Sequence, residues 1–273
     1  MRRILLAALI LAALDAHAQD AATRLAQDAI IVDTHIDAPG ILMDKWADLG
    51  SEAKDREFDY PKSRAGGLDV AFMSIYTSPK QDADGSAWHV ANQMIDGVQA
   101  LVQRHPDKFA ILTSPRDVER LLAGGRVLLP LGMENGAPLG GTLSNVQFFF
   151  DRGVRYITLA HSANNRLADS SYALEKKWNG LSPFGREVVR EMNRVGMIVD
   201  VSHLGDASLW RLYLSKLGHK RLDEIRRRDI SDLHAEIGKE HPAVANRVLN
   251  LTSSIFGRLF EWDIWTGPNP CKG

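Results

Sequence analysis

Gly180-Leu-Ser-Pro-Phe-Gly-Arg-Glu-Val-Val-Arg-Glu-Met-Asn-Arg-Val-Gly-Met-Ile-Val-Asp-Val-Ser-His203 contains one whole structural unit. Ser182 and Pro183 supply a helix cap and a first-turn proline. Phe184, Val188, Val189, Met192 and Val195 then recur on one helical face, and Gly196 stops the helix. The run from Gly196 to His203 follows at once. It has few charges in its interior, as expected for a strand buried on both faces of a parallel sheet.

The same rhythm appears on working outward. Apolar, β-branched runs span Ala29 to Asp37, Leu68 to Tyr76, Arg126 to Glu134 and Val154 to His161. Between them, Trp88 to His105 places Val90, Met94, Val98, Leu101 and Val102 at helical spacing, and Pro106 ends it. Strand alternating with helix gives an α/β architecture with a parallel sheet, and both a doubly wound sheet and a barrel satisfy the pattern. After about Trp210 the rhythm changes. Leu212 to Glu240 reads as one or two charged amphipathic helices, Val248 to Thr252 is a weak strand candidate, and Gly267 to Pro270 is irregular. No repeat of fixed period and no low-complexity tract interrupts the chain.

The first residues read as an address. Met1-Arg2-Arg3 is basic, Ile4 to Leu14 is apolar, and Ala16-His17-Ala18 offers small residues for a signal peptidase. Residues 1–18 are therefore expected to be a signal peptide. Eleven apolar residues fall short of the about twenty that a membrane span needs. The expected product is exported and periplasmic, without a membrane span. With 33 Lys and Arg against 34 Asp and Glu, the net charge of -1 gives no electrostatic case for nucleic acid or an anionic membrane. Cys271 is the single cysteine, so no internal disulfide can form.

The strand endings carry the chemistry. His35 and Asp37 close the first run, Glu134 the third, His161 the fourth and His203 the fifth. Strand C-terminal ends share one rim in a (β/α)8 barrel, so residues distant in sequence would meet there. Imidazole and carboxylate suit zinc, and a carboxylate such as Glu134 can bridge two ions. Each residue also has an ordinary reading: a surface turn for His-x-Asp, a turn at Glu134-Asn135-Gly136, a satisfied core histidine for His203. Their joint occurrence at successive strand ends favours metal.

These segments resemble the membrane (renal) dipeptidase family. The motifs are Val-Asp-Thr-His35-Ile-Asp37-Ala-Pro, Ala65-Gly-Gly-Leu-Asp-Val-Ala-Phe72, Gly132-Met-Glu134-Asn-Gly136, Leu159-Ala-His161-Ser162 with Ala168-Asp-Ser170, and the opening stretch through His203. The resemblance covers about Ala29 to Leu209. It implies a (β/α)8 TIM-barrel-like hydrolase with two zinc ions. His35 and Asp37 would hold one ion, Glu134 would bridge both, and His203 would bind the second. His161 would contact the substrate and polarise its carbonyl. The implied substrates are dipeptides, and the sequence leaves a homodimer open as an assembly.

Beyond His203 the chain departs from that pattern. A second histidine for the second zinc, an arginine for the substrate carboxylate and a Gly-Ser-Asp-Phe-Asp-like strand are not found. The expectation is an incomplete barrel of about five clear strand–helix units. Its N-terminal part would span residues 19–210, followed by a helical region at 211–273, with reduced or lost activity. His219, His234 and His241 lie in charged, helix-like sequence, and Asp263 lacks a family context, so none is an attractive replacement. A non-catalytic remnant that binds metal or peptide is the alternative reading. A lactonase or deaminase is a third, against which His-x-Asp in place of His-x-His argues.

Overall fold

A computed structural model describes residues 21–205, 220–240, 242–261 and 265–272. The expected signal peptide, His219, His241 and Asp263 lie outside the described residues. The chain divides into two compact units. One holds the chain through Trp178 with Ser182–Leu204, and the other holds Asn179–Leu181 with the chain from Gly205.

The first unit is built on seven strands: β1 (Ile31–Ile36), β2 (Leu68–Tyr76), β3 (Phe109–Ile111), β4 (Val127–Leu129), β5 (Leu131–Glu134), β6 (Val154–Thr158) and β7 (Ile198–Asp200). Every pairing between them is parallel. The main path runs β3-β4-β2-β5-β6-β7, and β1 pairs β2. The connecting helices include α1 (Ala38–Asp44), α2 (Tyr60–Gly66), α3 (Ala87–Arg104), α4 (Ser144–Asp151) and α5 (Pro183–Val195). The parallel α/β sheet is what the alternation predicts, and its TIM-barrel-like form is what the family resemblance implies. Among the described residues the sheet does not close, and β1, β3 and β7 each pair with one neighbour.

Two details differ from the sequence reading. The run Arg126 to Glu134 is two strands, because Pro130 lacks an N–H and interrupts the ladder. Its carbonyl still accepts from Met73 N at 2.9 Å, so β4 and β5 both stay on β2. The break lets the sheet branch, with β3 continuing from β4 and β6 from β5. β3 itself is only three residues long, too short to show a period. The second difference is that β6 and β7 stop at Thr158 and Asp200, leaving His161 and His203 in the loops beyond.

The core lies along the central strands. Met73, Ile75, Leu129, Leu131, Met133 and Ile157 are each at most 1 % exposed. β4 and β5 are buried along their whole length, as expected of central strands covered on both faces. One transverse row crosses the sheet: Tyr76 pairs Glu134, Glu134 pairs Thr158, and Thr158 pairs Asp200. The strand ends therefore stand level at one rim.

The second unit contains α6 (Arg227–Glu240) and α7 (Pro242–Glu261). Ile225, Ile230, Leu233, Val248 and Phe256 form its core. The weak strand candidate Val248 to Thr252 is helical, lying inside α7. Among the described side chains Ala245, Val248, Thr252 and Phe256 are buried, and they follow the helical period rather than alternation. Thr252 Oγ1 donates to the Val248 carbonyl at 2.8 Å, the i to i−4 bond of a helical hydroxyl. His234 pairs with Asn246 at 2.9 Å. Burial pushes the Cys271 thiol up to about 11, so it stays protonated and unreactive at neutral pH.

Helix α5 offers a direct check of this packing. Ser182 Oγ accepts from Gly185 N at 2.8 Å and caps the helix. A Cβ on Gly185 would stand 2.0 Å from the Leu167 carbonyl oxygen. Gly185→Ala is expected to cost about 1–3 kcal/mol through overpacking against backbone. Ser182→Ala should cost about 1 kcal/mol through the lost cap. Urea midpoints measure both, and a wild-type midpoint for Gly185→Ala would contradict the close approach.

Candidate metal centre

Glu134 ends β5 and is 6 % exposed, a carboxylate taken almost wholly out of water. Its two oxygens face different partners. Oε2 accepts from Ser74 Oγ at 3.2 Å and lies 3.3 Å from His35 Nε2. Oε1 lies 3.1 Å from His161 Nε2 and 3.3 Å from His203 Nε2. His35 Nε2 is also 3.3 Å from Asp37 Oδ1. All five residues singled out in the sequence thus meet at one rim. They form two donor groups, His35–Asp37–Glu134 and Glu134–His161–His203, with the donor atoms of each within 4.8 Å of one another.

Local structure sets each side chain. The backbone N of His35 donates to Asp33 Oδ1 at 2.9 Å, tying the end of β1. Asn135 holds a left-handed φ of 76°, which asparagine tolerates. Its Nδ2 donates to the Thr77 carbonyl at 2.8 Å, and its Oδ1 accepts from Asn165 Nδ2 at 2.8 Å. That network pins the residue after Glu134 between two neighbouring loops. Ser170 and Ser171 secure the two distal histidines. Ser170 Oγ donates to the His161 carbonyl, and Ser171 N donates to the His203 carbonyl at 2.8 Å. Buried Asp169 steadies this loop by accepting from Lys177 N at 2.8 Å and Trp178 N at 3.0 Å.

The donor set fits a tetrahedral ion. Ligand atoms about 2.0–2.1 Å from such an ion stand about 3.3 Å apart. The N···O separations between 3.1 and 3.3 Å match that edge. The imidazole rings of His161 and His203 lie 4.2 Å apart between centroids.

Charge is distributed accordingly. The Glu134 hydrogen bond raises His35 to about 9, against the lowering effect of burial. Burial works to raise the Glu134 carboxyl, but the hydrogen bond and charge of His35 hold it below its ordinary value. Burial lowers His161, favouring the neutral ring that a metal ligand requires. A cavity of about 800 Å³ is lined by Asn135, Asn164, Arg166, Trp178 and Phe184 among others, and none of the five donors lines it.

Sequence reading missed several supporting groups. Ser74 was visible as a hydroxyl in an otherwise apolar run. Tyr156, whose hydroxyl lies 3.2 Å from His35 Nδ1, gave no signal, because an aromatic residue inside a strand is ordinary.

Comparison with known proteins identifies relatives of this chain. A family model described as membrane dipeptidase (peptidase family M19) matches residues 19–216. Dipeptidase tcpJ of Claviceps purpurea is 36% identical over 172 residues, covering 57% of this chain and 40% of that protein. An uncharacterized dipeptidase of Schizosaccharomyces pombe is 31% identical over 188 residues, covering 63% and 46%. The crystal structure of the probable dipeptidase PvdM from Pseudomonas aeruginosa superposes with a TM-score of 0.64 at 25% identity, over 71% of this chain and 52% of that one. A Rhodobacter sphaeroides metallo peptidase liganded with a phosphinate mimic of the dipeptide L-Ala-D-Ala superposes with a TM-score of 0.57 at 22% identity, over 66% and 60%. The chain spans less than half the length of these curated relatives.

The His35–Glu134 pair generates a pH dependence in the metal-free protein. The folded value of about 9 exceeds the unfolded value of about 6.5. Its stabilising contribution is therefore complete below about pH 6.5 and is lost as pH rises through 9. Urea unfolding in chelator should show stability falling across that window, and His35→Gln should flatten the slope. An equal slope in the variant would contradict the pairing.

Proposed function

We propose that this chain, which belongs to the membrane dipeptidase family, is a zinc-dependent hydrolase of dipeptides. The observation that carries the reading is the convergence of three histidines and Asp37 on the two oxygens of buried Glu134. His35, Asp37 and Glu134 would hold one ion, and Glu134 with His203 the second. Zinc at such a site supplies Lewis acidity and makes a water molecule acidic enough to attack a carbonyl near neutral pH.

The chain's own residues supply the rest. Glu134, ionised and fixed by Ser74, presents one oxygen to each side of the centre. His161 stands on the Oε1 side with Tyr76 at a ring distance of 4.8 Å, which restricts the imidazole. In its neutral form it would donate to the carbonyl oxygen of the scissile bond and stabilise the charge that develops there.

The basic and apolar start of the sequence supports export of the mature protein to the periplasm. No helix among the described residues is long and apolar enough to cross a membrane.

Purified full-length chain supplied with zinc is expected to hydrolyse dipeptides. Glu134→Gln should reduce turnover by at least about a hundredfold, since losing a shared ligand exceeds the 10–100-fold cost of losing a group that only orients one. Chelator should abolish turnover in the wild type, and zinc should restore it. Zinc bound without any dipeptide turnover would instead identify a binding protein.

A further inference from the structure

We infer that Tyr156 is a positioning residue for His35, holding its imidazole in the tautomer that leaves Nε2 free to bind metal. The inference rests on the reading of His35 as a metal ligand. Its Nε2 lies 3.3 Å from both Asp37 Oδ1 and Glu134 Oε2. To bind an ion between those carboxylates, Nε2 must be bare, and the single ring proton must sit on Nδ1.

Tyr156 provides for that proton. His35 Nδ1 lies 3.2 Å from the Tyr156 hydroxyl oxygen. The hydroxyl donates its own proton to the Thr34 carbonyl at 3.4 Å, so its lone pairs are available to Nδ1–H. The resulting relay runs from His35 Nδ1–H to Tyr156 and from Tyr156 O–H to Thr34. In the reverse direction the tyrosine would donate to a bare Nδ1. The ring proton would then sit on Nε2, where the metal belongs. The Thr34 carbonyl selects the productive direction because it can only accept.

The fold reserves a place for this ring. Tyr156 lies in β6 at 7 % exposure and packs against Phe72 with ring centroids 5.5 Å apart. Its cross-strand partner is Gly132. A Cβ at Gly132 would stand 1.9 Å from Tyr156 Cζ and 2.4 Å from its hydroxyl oxygen. Any larger residue there would displace the hydroxyl from His35, so the glycine serves the tyrosine rather than the backbone. His161 provides the contrast: its Nδ1 is buried and has no hydrogen-bond partner among the described residues.

Tyr156→Phe keeps the ring and removes the hydroxyl. Zinc titration of the metal-stripped full chain, in competition with a chelator of known affinity, should show the tightest site weakened by about 10–100-fold. Phe72→Leu is the packing control. It loosens the same ring but keeps the hydroxyl, so it should lower the melting temperature and leave zinc affinity within twofold. Nitrogen-15 histidine NMR of the zinc-loaded protein should show a slowly exchanging His35 Nδ1–H in the wild type that is lost in Tyr156→Phe. Wild-type affinity in Tyr156→Phe would overturn the inference alone, and so would an equal loss in Phe72→Leu. A wild-type chain that binds no zinc would overturn the underlying metal reading as well.

Discussion

The burial of the Glu134 carboxylate is the constraint around which the rest of the first unit is arranged. An ionised carboxylate taken out of water costs several kcal/mol unless opposite charge and hydrogen bonds replace its solvation. Here Ser74 and His35 serve one oxygen, and His161 and His203 serve the other. Those partners come from β2, from the end of β1 and from the loops after β6 and β7, so the centre depends on the sheet keeping its register. A one-residue slip in any of these strands would turn a partner away from the carboxylate.

The same constraint explains why the loops are so heavily hydrogen-bonded. His161 and His203 stand beyond the ends of short strands, where the ladder no longer fixes them. His203 adopts a left-handed φ of 64°, an uncommon conformation that needs external support. Ser170 and Ser171 supply it by binding the two histidine carbonyls, and Asp169 fastens that loop in turn. Asn135 and Asn165 do the same for the turn after Glu134. Polar groups that would be a liability in a core hold the donors in place.

Much of this was legible in the sequence because the signals were local. The cap and stop at Ser182 and Gly196 bound α5, and the apolar run Leu68 to Tyr76 coincides with β2. The residues His35, Asp37, Glu134, His161 and His203 could be nominated because chemically capable side chains recurred at the ends of successive runs. Features that depend on non-local contact could not be read. Val248 to Thr252 looks strand-like in isolation, yet its buried positions follow the helical spacing of a twenty-residue helix. The split at Pro130 required knowing that both halves stay on β2. Tyr156 became visible only through the space left by Gly132 and the proximity of His35, residues far from it in sequence.

The central claim is that one buried carboxylate organises a metal centre at the strand ends. Anomalous diffraction at the zinc edge, from crystals of the whole chain grown with zinc, tests it most directly. The account predicts a peak within about 2.0–2.2 Å of donor atoms of His35, Asp37 and Glu134, with any second ion on the opposite side of the same carboxylate. A well-ordered Glu134 with no peak beside it, or zinc bound only at unrelated surface histidines, would contradict it.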